Sequence, residues 1–125
     1  MSSPAANSTA IQQYDHAWNA AGVDERRALL EAALTEDCEL VEPRGRYVGR
    51  EAIIERIAGF AERFPGATVK ITTSVDEHHH FARYAWRIVD GDGAQILSGI
   101  DVVEHASDGR LRKVVMFFGD LEPRP

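Results

Sequence analysis

Cysteine is almost absent from this chain: of 125 residues, Cys38 alone is one. No disulfide can close within the chain, and no zinc site can be built mainly from thiolates. Basic residues are outnumbered by acidic ones, 14 to 20. The formal net charge is −6 and no basic stripe occurs anywhere, so the electrostatic footprint of a nucleic-acid binder is missing. Long hydrophobic runs are lacking as well, which excludes an apolar membrane-spanning helix. The opening Met-Ser-Ser-Pro-Ala-Ala-Asn-Ser has neither the basic stretch nor the apolar core of a signal peptide. The expectation is a cytoplasmic protein whose partners are neither nucleic acid nor membrane. No internal repeat and no linker divides the chain. The reading is a loose tail over 1–8 and one domain over 9–122.

What is present is patterned. The spacing predicts a first helix from near Thr9, with Gln12 as a capping-box partner. Ile11, Tyr14, Trp18 and Ala21 fall on one face, Gln13 and Asn19 point away, and Gly22 ends the helix. Asp24 is the expected N-cap of a second helix that buries Leu29, Leu30, Ala33 and Leu34 and wets Glu25, Arg26, Arg27 and Glu31. Cys38–Glu42 reads as a short strand stopped by Pro43, with Cys38, Leu40 and Glu42 on one face. Pro43–Gly49 reads as a loop. A third helix from about Arg50 carries the stripe Ile53, Ile57, Phe60, Ala61 and Phe64, and Pro65-Gly66 terminates it.

From Ala67 the period changes to two. Val69, Ile71, Thr73 and Val75 alternate with polar residues. After a corner at Asp76-Glu77-His78, the residues His80, Ala82, Tyr84, Trp86 and Ile88 share a face that should be the inner one. Asp90–Gly93 is a turn. Ile96–His105 and Leu111–Phe118 then form a hairpin around the Asp108-Gly109 turn signal. Gly119–Pro125 reads as a loose tail. The order helix, helix, strand, helix and then four strands in a row implies an α+β fold, with three helices against one face of a curved antiparallel meander.

Asp101 stands in the middle of an otherwise apolar strand, where a carboxylate is excluded from the core unless something compensates it. It lies either on a wet face or in a cavity where it works. The periodicity also turns Tyr14 inward, as a site residue or as a core aromatic with a satisfied hydroxyl. Glu42 either faces the same interior or has reached solvent at the strand's end. Trp18, Phe60, Phe64, His80, Tyr84, Trp86, Met116 and Phe118 are the expected walls of an apolar, substrate-binding pocket. A carboxyl in apolar surroundings has a raised pKa and, once protonated, donates a hydrogen bond. Beside a tyrosine hydroxyl it makes a two-donor site for a developing oxyanion, while a better-solvated carboxylate can take a proton.

The span from about 9 to 122 resembles the NTF2-like superfamily, and within it the SnoaL-like and ketosteroid-isomerase-like proteins. The resemblance is carried by Tyr14-Asp-His-Ala-Trp18-Asn19, by Glu36–Pro43 and by Val48-Gly49-Arg50-Glu51-Ala52-Ile53. In the C-terminal part it is carried by Gly99-Ile100-Asp101-Val102-Val103, Asp108-Gly109-Arg110-Leu111 and Phe117-Phe118-Gly119-Asp120-Leu121. It implies a cone of three helices on a curved sheet. It also implies acid–base chemistry beside a carbonyl without a cofactor, of isomerase, cyclase or dehydratase type. In ketosteroid isomerases a tyrosine and a protonated aspartic acid hold the oxyanion, and another aspartate moves the proton. By motif these roles fall on Tyr14, Asp101 and Glu42. The last departs from the pattern, because Glu replaces Asp and moves the carboxylate by about 1.5 Å. The resemblance further implies a homodimer through the outer sheet face, where Phe81, Val102 and Val115 would sit.

Rival readings remain. His78-His79-His80 invites a metal, but on a strand only two of the three share a face and no second cluster stands at ligand spacing, so no metal is expected. His78 or His80 could instead reach the pocket mouth as the base of a dehydratase. An epoxide hydrolase would need an inward arginine, whereas Arg83 and Arg87 point outward. Cys38 reads as a small buried hydrophobe. The alternative to an enzyme is a non-catalytic module that binds a small ligand or dimerises.

Overall fold

The helical and alternating periods fold as three helices and seven strands in a computed structural model that describes residues 4–125, with side chains from Thr9 onward. The helices are α1 (Pro4–Trp18), α2 (Val23–Ala33) and α3 (Arg50–Arg63). The strands are β1 (Leu34–Glu42), β2 (Gly45–Val48), β3 (Thr68–Ile71), β4 (Asp76–His78), β5 (Phe81–Val89), β6 (Gln95–His105) and β7 (Leu111–Phe118). Among the described residues no helix is long and apolar enough to cross a membrane.

All seven strands form one sheet in the order β2-β1-β7-β6-β5-β3, with β4 also on β5. The expected meander is present in β5-β6-β7, whose neighbours pair antiparallel. The sheet as a whole is mixed, because β1 runs parallel to β7. A parallel pair needs a long crossover, and α3 with the strands after it supplies one. Burial alternates strictly along β5, so one sheet face carries the core and the other is open. On the inner face the three helices cover Leu40, Val103, Tyr84, Trp86, Ile88 and Val114 with Ile11, Tyr14, Trp18, Leu30, Ile53, Ile57 and Phe60.

Local expectations were corrected in several places. Helix α1 begins at Pro4 rather than Thr9, so of the expected tail only residues 1–3 lie outside the described ones. It ends at Trp18, and Asn19 does not point away. Its amide clamps β3, with Nδ2 donating to the Val69 carbonyl and Oδ1 accepting from the Val69 amide, both at 2.8 Å. That clamp fixes the last turn of α1 over the sheet. The N-cap of α2 is the extended Gly22, not Asp24. Arg26 is buried rather than wet, and its guanidinium donates to the Ala20 carbonyl.

The Pro43–Gly49 loop holds strand β2, which pairs back on β1 with Glu42 opposite Gly45. The expected Val69–Val75 strand leaves the sheet after Ile71. Its place along β5 is shared by β3, against Ile71–Trp86, and β4, against Asp76–Arg83. Two short strands with a break between them expose less continuous edge than one long strand would. His80 therefore sits in the β4–β5 turn, exposed and off the inner face.

Candidate active site

The site begins with a row across the sheet. Tyr84 on β5 pairs with Asp101 on β6, and Asp101 pairs with Met116 on β7. Val41 pairs with Val115, so Glu42 stands one residue on, beside Met116. Residues side by side on neighbouring strands point to the same face. Glu42, Met116, Asp101 and Tyr84 thus share one inward lane, and Asp101 and Glu42 are buried although both are acids. Strands lie about 4.8 Å apart, which separates the backbones of Glu42 and Asp101 by roughly 10 Å with Met116 between them.

Asp101 is compensated from within the fold. The Trp86 indole Nε1 donates to its Oδ1 at 2.7 Å. Gly99 makes this possible. It lies opposite Trp86 on β6, and a Cβ there would come within 2.5 Å of the indole ring and collide with the Phe117 carbonyl. Burial pushes the Asp101 carboxyl up to about 7, the neighbouring Tyr84 hydroxyl and the bonded Trp86 indole pull it back, and the nearby Asp15 charge adds to the rise. The Tyr84 hydroxyl, on the residue paired with Asp101, makes no hydrogen bond in the protein.

Asp101 lines a small chamber with Tyr14, Asp15, Trp18, Val69, Tyr84, Trp86, Ile88 and Met116. The chamber's volume is about 20 Å³, room for about one water or one ligand oxygen. The hydroxyls of Tyr14 and Tyr84 are both buried and neither has a hydrogen-bond partner in the protein. Leaving such groups unpaired costs about 1–3 kcal/mol each. Burial, and then the Asp101 charge, holds both phenols well above their ordinary range, so both remain proton donors. Asp15, half-buried on the same wall, is pushed by burial up to about 6.

Beyond the shared walls Trp18, Trp86, Ile88 and Met116 lies a larger vestibule of about 470 Å³. Tyr47, Phe60, Phe64, Leu97 and Phe118 continue its lining, together with Arg44, Glu55, Arg56 and Arg63. The rings form an edge-to-face ladder, with Tyr14–Trp18 centroids 6.2 Å apart, Trp18–Phe60 5.4 Å and Trp86–Phe118 5.9 Å. Its size and its mostly apolar wall are those of a small-molecule site.

Of the residues nominated from sequence, Tyr14 and Asp101 share the chamber, with Trp18, Tyr84, Trp86 and Met116 around them. Phe60, Phe64 and Phe118 line the vestibule. Glu42 is inward but engaged elsewhere: Arg56 Nη2 donates to its Oε2 at 3.3 Å and the Arg44 backbone amide to its Oε1 at 3.1 Å. It is on the wall of neither cavity. His80 is outside both. The His78 and His79 rings meet edge to face in the open, and among the described residues no group of three or more His, Cys, Asp and Glu could hold a metal. Cys38 is buried, and its thiol is pushed by burial up to about 12.

Asp15 and Arg56 also stand on the cavity walls, and no motif in the sequence gives them a role. Asp15 follows Tyr14, one step around α1. Arg56 sits three residues after Ile53 and four before Phe60, a charge placed on the apolar stripe of α3. A charge at such a position, with an inward glutamate elsewhere in the chain, was a readable signal for the pair.

A profile of the SnoaL-like domain matches residues 11–114. The fold superposes with a TM-score of 0.86 on a SnoaL-like family protein from Agrobacterium tumefaciens, provisionally called an isomerase. The two are 31% identical over 93% of this chain and 99% of that one. A protein of unknown function with a cystatin-like fold from Methylobium petroleophilum gives 0.78, at 20% identity over 97% and 80%. A SnoaL-like protein from Jannaschia sp., provisionally called a polyketide cyclase, gives 0.75, at 18% identity over 94% and 90%. A search of curated proteins gave no significant match.

Proposed function

The chain belongs to the SnoaL-like family of NTF2-like α+β cones, and on that footing we propose that it is an enzyme moving a proton beside the carbonyl of a small, largely apolar molecule. One observation carries the reading. Two unpartnered tyrosine hydroxyls and a carboxyl with a raised pKa surround a space the size of one oxygen atom. The substrate's carbonyl oxygen takes that space and its body fills the vestibule. With Trp86 on Oδ1, the Asp101 proton resides on Oδ2 and is donated to the oxygen together with that of Tyr14, which lowers the energy of the enolate-like state. Asp15, on the same wall and titrating near 6, is the carboxylate placed to take and return the proton. Glu42, nominated by motif, holds Arg56 and reaches the proton only if that pair opens. No cofactor has a part in this chemistry. Isomerisation, cyclisation and dehydration all use it, and the first two are the activities in the provisional names of the relatives.

The test is hydrogen–deuterium exchange at the α-carbons of 2-tetralone in D2O, followed by proton NMR. Wild type accelerates exchange, and Tyr14→Phe, Asp101→Asn and Asp15→Asn each slow it about 100-fold. Loss in Glu42→Gln with an unchanged rate in Asp15→Asn would return the base role to Glu42. Unchanged rates in all four variants would refute the mechanism.

A second reading, a ligand-binding module without turnover, is favoured by the smallness of the chamber. On the outer sheet face Ile100 and Phe117 pair side by side and are exposed, as is Phe81. That apolar strip supports association of two copies through their sheets.

A further inference from the structure

The vestibule is unlike the rest of this acidic protein. The chain carries a formal charge of −6, yet the vestibule wall presents Arg44, Arg56 and Arg63 against the single acid Glu55. Arg44 and Arg63 make no ion pair among the described residues. Arg56 is built in. Its guanidinium lies 5.8 Å from the Trp18 ring and 5.9 Å from the Tyr47 ring, and Glu42 holds it from behind. Its side chain is only 20% exposed, and it is part of the cavity wall. A guanidinium fixed by two rings and a buried carboxylate has lost its conformational freedom before any ligand arrives. Its remaining donors have the planar fork that matches a carboxylate. Glu42 offsets one of the three positive charges and Glu55 another, so the wall keeps a net surplus, and that surplus lies on Arg44 and Arg63.

We propose that the vestibule selects a carboxylate-bearing ligand, its apolar body between the aromatic walls and its anionic group on Arg56, Arg44 and Arg63. This rests on the reading of the cavity as a small-molecule site, and it narrows the substrate class to apolar carbonyl compounds that also carry a carboxylate. It assigns Glu42 the work of positioning Arg56.

The experiment is isothermal titration calorimetry with 2-naphthoate and its neutral isostere 2-naphthamide, at low and at 0.5 M salt. The naphthoate binds at least tenfold tighter than the amide at low salt, and the preference shrinks with salt. In the double variant Arg44→Gln/Arg63→Gln, whose sites are exposed, the preference falls below about threefold. In Asp101→Asn the preference persists, because the anion is not held in the oxygen chamber. Equal affinity for both probes, no binding of either at millimolar concentration, or a preference lost in Asp101→Asn but kept in the double arginine variant would each overturn the proposal. The readout needs no turnover, so a failure of the proton-transfer mechanism leaves this result standing, and the reverse also holds.

Discussion

The indole of Trp86 donates to Asp101 at 2.7 Å in a part of the core where both side chains are buried. The bond ties two adjacent strands through their side chains. It also decides which carboxyl oxygen is left for the chamber.

Asp101 makes stability fall as pH rises. An acid whose pKa is higher in the folded than in the unfolded state holds its proton more tightly when folded. Its contribution is therefore present below its ordinary value of 3.8 and is lost as pH rises through about 7. At about 1.4 kcal/mol per pH unit, the loss is on the order of 4 kcal/mol. Asp15 contributes in the same direction up to about 6. The surface acids Glu39, Glu51, Glu104 and Asp108 shift the other way but are common to wild type and variant. Urea unfolding at pH 4.5 and 7.5 should show most of this decline in wild type and much less of it in Asp101→Asn, which keeps the acceptor for Trp86.

Removing either orphan hydroxyl should stabilise the protein, and removing that of Tyr14 should also disable it. Tyr14→Phe and Tyr84→Phe each delete a buried, unpartnered oxygen. Each should raise stability by about 1 kcal/mol and the melting temperature by roughly 2–5 °C. Calorimetric melting checks the first effect and the exchange assay the second. A lower melting temperature in both would show that the hydroxyls have partners.

Gly99→Ala should act at a distance. The added methyl meets the indole of Trp86 and the Phe117 carbonyl, so the ring or the strand must move. We expect a loss of about 1–3 kcal/mol and a weakened Trp86–Asp101 bond, visible as a shift of the Trp86 indole NH resonance in nitrogen-15 NMR spectra.

The Glu42–Arg56 pair should break asymmetrically. The Glu42 side chain is fully buried and that of Arg56 is 20% exposed. Arg56→Met strands a buried carboxylate and should cost about 3–5 kcal/mol. Glu42→Gln leaves an arginine that can reach solvent, and it should cost less than half as much. Chemical denaturation of the two variants decides, and equal losses would contradict the burial difference.

Phe117→Lys should disperse the proposed dimer. Phe117 is 58% exposed on the outer face, beside Ile100. Light scattering after size exclusion should report a dimer for wild type and a monomer for the variant, with unchanged circular dichroism. A monomeric wild type at micromolar concentration would end the proposal.

The sequence by itself determined the three helices, the inner face of β5 and the hairpin that carries Asp101, because helical and strand periods are local properties of burial. It singled out Tyr14 and Asp101 because each is a polar group at an apolar address. It misplaced His80, since alternation continues on paper through a corner where the chain actually turns. It gave Glu42 the right face but could not supply its partner.

Only the tertiary structure decided that the sheet is mixed, because the parallel β1–β7 pairing joins segments some 75 residues apart in sequence. That pairing puts Glu42 beside Met116 and a strand short of Asp101. It also decided that Asp15 reaches the chamber and that Arg56 lies between Trp18 and Tyr47. Periodicity says which way a side chain points. What it meets there depends on register and on how helices lie across the sheet, and those are fixed by contacts distant in sequence.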